Sequence, residues 1–157
     1  METQDVCYTR EVAIEKAIEM EDQSFTTYKD LYFKVKDRLA KDVLKDLALD
    51  ELKHKYTLEK AYFEDTVELH DKGETDGPSM NLTLLLEEKP LDHAANDQDV
   101  MVFAIHDEKR SVDFYRAMAG QCGGAPMEKM FSRLAQDEEG HLSKLETLYE
   151  SLYMQDM

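Results

Sequence analysis

Apolar side chains return every three to four residues along four stretches of this chain. The first stripe passes through Ile14, Ile18, Phe25, Tyr28, Tyr32 and Val35, and the second through Leu44, Leu47, Leu58 and Ala61. The third runs through Met101, Ile105, Val112, Tyr115 and Met118, and the fourth through Met130, Leu134, Leu145, Leu148 and Leu152. This is the period at which a helix buries one face, so the spacing predicts four amphipathic helices and an all-α fold. Each stripe is interrupted on its apolar face by polar residues of only two kinds: Glu21 in the first, Glu51 and His54 in the second, Glu108 in the third, Glu138 and His141 in the fourth.

Those interruptions repeat. Glu21 and Glu108, Glu51 and Glu138, and His54 and His141 are each 87 residues apart, and so are Tyr28 and Tyr115, and Asp50 and Asp137. Leu47-Ala48-Leu49-Asp50-Glu51-Leu52-Lys53-His54 returns as Leu134-Ala135-Gln136-Asp137-Glu138-Glu139-Gly140-His141, and the match continues through Leu58/Leu145, Glu59/Glu146 and Tyr62/Tyr149. Residues 1–157 therefore read as one domain made of two helical hairpins. The repeat also places a boundary that composition hides. Gly123-Gly124-Ala125-Pro126 separates the third and fourth stripes, with its proline suited to a first helical turn. The same offset maps that loop onto Lys36-Asp37-Arg38-Leu39, where Asp37 is the expected N-cap of the second helix. Between the hairpins, His70 to Asp97 carries Gly73, Gly77, Pro78 and Pro90. A connection of that length fits an antiparallel four-helix bundle with one long crossover between helices 2 and 3. Leu82 to Leu86 is expected to pack across the outside of the bundle as a short helical turn.

Composition narrows the partners. A net charge of −16 argues against nucleic acid and against an anionic membrane surface. No apolar run approaches the roughly 20 residues that a membrane-spanning helix needs. No basic segment precedes an apolar one at the N-terminus, so a cytoplasmic location is expected. The two cysteines, Cys7 and Cys122, cannot form a tetrathiolate site and read as unrelated thiols, although the bundle topology places them near one end.

Four glutamates and two histidines are what a pair of divalent ions requires. Glutamate can bridge or chelate, and each histidine adds one nitrogen donor. Four carboxylates balance two divalent ions in charge, whereas the same carboxylates buried alone would cost several kcal/mol each. Glu51 and His54 are three residues apart and share a helical face, as do Glu138 and His141. Tyr28 and Tyr115 lie two turns beyond Glu21 and Glu108, placed either to hydrogen-bond a ligand carboxylate or to fill the core. Metal-bound imidazoles usually donate their outer N–H to a carboxylate. Asp50 is expected to orient His141, and Asp137 to orient His54, across the bundle. Glu15 and Glu19 fall off the stripe and map to Val102 and His106; His70, His93 and His106 have no image at the offset and read as surface or loop residues; Glu139 reads as a helix-surface charge.

Through the paired Glu and Asp-Glu-x-x-His segments the chain resembles the ferritin-like superfamily, and within it the rubrerythrin-like di-iron proteins. The resemblance implies two iron ions, with manganese or zinc as substitutes, acting on peroxide or dioxygen. It implies Glu51 and Glu138 as bridging ligands, Glu21 and Glu108 as terminal ones, and His54 and His141 as one ligand per metal. Full-length rubrerythrins carry a four-cysteine rubredoxin-like domain that is not seen here, so an external electron donor such as a rubredoxin is expected. Rubrerythrins also add a glutamate one turn after the third-helix ligand; here that position is Ser111, matched by Ser24. The haem-ligating methionine of bacterioferritin would fall at Leu52, so no haem is expected. The leading expectation is a di-iron oxidoreductase, monomeric or a homodimer. Its alternatives are a ferroxidase-type iron-storage protein and a metal-stabilised interaction module without turnover.

Overall fold

The computed structural model describes residues 9–64, 79–121 and 126–155. Within them lie helices α1 (Arg10–Lys34), α2 (Arg38–Lys60), α3 (Asp97–Gln121) and α4 (Pro126–Tyr153), with one 3-10 turn, Leu82–Leu84, and no strand. The four-helix, all-α architecture is therefore the one the stripes predict. Cys7, His70, Gly73, Gly77, Pro78, Cys122 and the loop glycines before α4 lie outside the described residues. No helix among those described is long and apolar enough to cross a membrane.

Local chemistry sets the helix ends. Thr9 caps α1, its side chain accepting from the Val12 amide. Asp37 caps α2, its Oδ2 accepting from the Ala40 amide at 2.8 Å. Asn96 and Asp99 form a reciprocal box at the start of α3: each side chain accepts from the other's backbone N–H, at 2.9 and 3.1 Å. The Asp97 carboxylate accepts from the amides of Lys36 and Asp37, which fastens the α1–α2 turn to the start of α3.

Directions follow from contacts along the helices. Arg10, at the start of α1, donates to the carbonyls of Ala61 and Glu64 at the far end of α2. Gln98, at the start of α3, donates to the Tyr149 hydroxyl near the end of α4. Each hairpin is thus antiparallel. Tyr28 meets Glu108 while Tyr115 meets Glu21, so α1 and α3 also run oppositely, which leaves α2 and α3 parallel and requires the long crossover. The described part of that crossover lies on α3 and α4. Glu146, 1% exposed, accepts from Ser79 Oγ and from the Leu82 amide at 2.9 and 3.0 Å. His106 Nε2 sits 2.7 Å from the Leu86 carbonyl oxygen. Of the leucines expected to pack there, Leu82 is buried and Leu86 packs against the core, whereas Leu84 and Leu85 point outward.

Two apolar clusters fill the bundle. One gathers Tyr28, Leu31, Leu44, Leu47, Met101, Ile105, Leu145 and Tyr149. The other gathers Ile14, Ala17, Leu58, Tyr115, Met130, Phe131 and Leu134 toward the opposite end. Burial of each large side chain contributes about 1.5–3 kcal/mol. Between these clusters lies a layer of charged residues, and that layer forms the candidate site.

Candidate metal centre

All six interrupting residues converge on the bundle axis. Glu21 comes from α1, Glu51 and His54 from α2, Glu108 from α3, and Glu138 and His141 from α4. None is more than 5% exposed. They group into two sets of four: Glu21, Glu51, His54 and Glu138; and Glu51, Glu108, Glu138 and His141. Within each set one donor atom per residue lies within 4.8 Å of the others, and Glu51 and Glu138 belong to both sets.

Both imidazoles point the same way relative to the sets. His54 Nδ1 faces Glu21 Oε2 at 3.4 Å and Glu138 Oε1 at 3.8 Å. His141 Nδ1 faces Glu51 Oε1 at 2.8 Å, Glu138 Oε2 at 3.3 Å and Glu108 Oε1 at 3.9 Å. The rings are nearly parallel, 5.9 Å between centroids and 13° between planes. Their outer nitrogens face aspartates across the bundle: His54 Nε2 is 3.3 Å from Asp137 Oδ2, and His141 Nε2 is 3.4 Å from Asp50 Oδ2. The tyrosines both fill core volume and bond the carboxylates. Tyr28 donates to Glu108 Oε2, and Tyr115 donates to Glu21 Oε1 at 3.1 Å.

Electrostatics shows what this layer costs without cations. Burial, then repulsion from Glu51 and Glu138, holds the Glu21 carboxyl well above the usual carboxylate range. Burial and Glu138 do the same to Glu108. Burial would also raise Glu138, but hydrogen bonds from Glu108 and the two imidazoles outweigh it and pull its carboxyl well down. Burial disfavours imidazolium at His54 and His141, yet the surrounding carboxylates prevail and both rings hold protons well above their ordinary range. Without cations the cluster therefore favours protons on Glu21, Glu108, His54 and His141.

Even so, donors are left over. Glu21 Oε2, both oxygens of Glu51 and of Glu138, Glu108 Oε1 and the Nδ1 atoms of both histidines are buried without a hydrogen bond of normal geometry. Buried polar atoms are rarely left so. Oxygen and imidazole donors aimed into one small volume suit divalent first-row metals, and iron, manganese and zinc all fit this chemistry.

Other candidates fall elsewhere. His93 is exposed, and His106 is occupied by the crossover. Glu139 is half-buried and paired with Arg116 of α3, more enclosed than a free surface charge. Ser24 and Ser111 are buried one turn beyond Glu21 and Glu108. Two residues escaped the sequence reading. Arg133 Nε lies 3.4 Å from Asp137 Oδ1, but its image in the first half is Asp46, so a search for identical pairs passes over it. Glu146 does have an image, Glu59, but Glu59 is exposed, whereas the described part of the crossover covers Glu146.

Compared with known proteins, residues 12–149 match the family model for rubrerythrin. No curated protein and no solved structure matches the chain.

Proposed function

The chain belongs to the rubrerythrin family, and from that premise we propose that it is a di-iron carboxylate oxidoreductase that reduces peroxide or dioxygen. The observation that carries this reading is the sharing of Glu51 and Glu138 between two buried four-residue sets. Two ions side by side need carboxylates that serve both, and no ordinary packing role explains two such glutamates at 0% and 1% exposure.

In this reading Glu21, Glu51, His54 and Glu138 would hold one iron, and Glu51, Glu108, Glu138 and His141 would hold the other. Bound there, two irons would supply electrons for breaking an O–O bond, and an external donor such as a rubredoxin would return them. The remaining work belongs to the protein. Asp50 and Asp137 hold a proton at each imidazole Nε2, which keeps Nδ1 free as the inward donor. The hydroxyls of Tyr28 and Tyr115 hold Glu108 and Glu21 in place through one oxygen and leave the other turned inward. The two apolar clusters exclude bulk water, so charge changes at the centre are felt strongly. The protein acts in the cytoplasm, as a monomer or a homodimer.

Serine at 24 and 111 leaves the ligand set symmetric, which favours a ferroxidase as the second reading. The test is anaerobic loading with Fe(II), then rapid mixing with peroxide and, separately, with air-saturated buffer. Faster oxidation by peroxide supports the peroxidase form. Faster oxidation by dioxygen followed by continued iron uptake supports a ferroxidase. Bound iron inert to both would leave the metal-stabilised module in its place.

A further inference from the structure

Duplication makes the six inward donors symmetric, but it does not do the same for what stands behind the two imidazoles. Behind His54, Asp137 divides its carboxylate: Oδ2 lies 3.3 Å from His54 Nε2, and Oδ1 lies 3.4 Å from Arg133 Nε. Asp137 is 2% exposed, and Arg133 sits one helical turn before it on α4. Behind His141, Asp50 divides its carboxylate in the same way, but its Oδ1 faces Lys53 Nζ at 3.8 Å. That lysine is 72% exposed, so water competes for the contact. At the repeat offset, Asp46 stands where Arg133 does and Gly140 where Lys53 does. The cations therefore enter from opposite sides, and they differ in kind.

The difference matters because guanidinium is a planar donor of fixed geometry, whereas a lysine ammonium on a solvated stem is not. The partly buried guanidinium lies within ion-pair distance of one Asp137 oxygen and biases that carboxylate toward one orientation, facing the His54 ring. We infer that Arg133 is a positioning residue: through Asp137 it fixes the His54 ring, making one metal position depend on a clamp that the His141 position lacks. This rests on the di-iron reading above.

The test is titration of the full chain with Zn(II) followed by calorimetry, and with Co(II) followed by visible absorption. It compares the unaltered protein with Arg133→Met, Arg133→Lys and Lys53→Met. Arg133→Met is expected to weaken one of the two ions by roughly ten- to hundredfold and leave the other unchanged, the usual size of effect for a residue behind a metal ligand. Arg133→Lys should recover part of that loss, and Lys53→Met should bind both ions as the parent does. In a His54→Ala background, which retains one ion, Arg133→Met should change nothing further; a merely structural arginine would still alter that binding. Two ions bound unchanged by Arg133→Met, or both weakened equally, would overturn the inference while leaving the metal centre standing. A parent protein that binds no metal would overturn the centre itself and the clamp with it.

Discussion

Metal should stabilise this fold by a predictable amount, because two ligand sets that share residues exist only in the folded chain. An ion that binds only the native state adds about 2.7 kcal/mol when its free concentration is a hundred times Kd. Two sets imply two such increments, or about 5 kcal/mol. For a domain of this length each kcal/mol raises Tm by about 2–4 °C, so saturation should raise it by about 10–20 °C. Zn(II) is the suitable probe, since it does not change oxidation state. Thermal melts followed by circular dichroism, after chelator treatment and then at rising zinc, give the shift directly. The two sets also predict how the shift divides among variants. Glu51→Ala removes a residue common to both and should abolish nearly the whole shift, whereas Glu21→Ala touches one set and should leave about half. A Glu51→Ala protein with the full shift would refute the shared-ligand geometry. A parent protein whose Tm ignores zinc would refute metal binding.

The metal-free protein should respond to pH in the opposite sense to the loaded one. Glu21, Glu108, His54 and His141 all hold protons more tightly when folded, and Glu138 is the counter-case. Groups with raised folded values give stability that is whole below their unfolded values, about 4.3 for Glu and about 6.5 for His, and that is lost as pH rises through the folded ones. Chelated protein should therefore lose stability to urea as pH rises above about 6.5, while zinc-loaded protein, whose ligands must be deprotonated, should gain affinity in the same direction. Equal slopes in both forms would count against this. At the crossover, Glu146→Ala leaves the Leu82 amide unpaired and should cost about 1–3 kcal/mol in urea unfolding, with faster amide exchange at Leu82 than in α2. Unchanged exchange there would show that Glu146 does not hold the segment.

Much of this architecture was legible because its signals are periodic or duplicated. Helical spacing alone marks α1 to α4, and every stripe residue from Leu44 to Ala61 is buried. The second hairpin's loop located the first, and Asp37 caps α2 where the offset places a cap. Convergence of the six polar residues follows from the same cause: a carboxylate on an apolar stripe must face the axis. Less could be read where tertiary context breaks the symmetry. Glu59 and Glu146 correspond at the repeat offset, yet Glu59 is exposed while the described part of the crossover roofs Glu146. Tyr62, just past the end of α2, is 38% exposed, whereas its image Tyr149 lies within α4, is 3% exposed and accepts from Gln98 of α3. Leu84 and Leu85 look like core residues but face outward, because a three-residue 3-10 turn presents only one leucine to α3 and α4. Arg133 has an aspartate, Asp46, at the matching position, so the repeat gave no signal for it.

Everything proposed for the site depends on two ions binding at once between the four helices. Anaerobic titration of the chelated chain with Fe(II), with bound and free metal separated at each step, measures that directly. The account predicts saturation at two ions per chain, and loss of both in Glu51→Ala. Saturation at a single ion, no specific uptake, or two ions retained without Glu51 would contradict it.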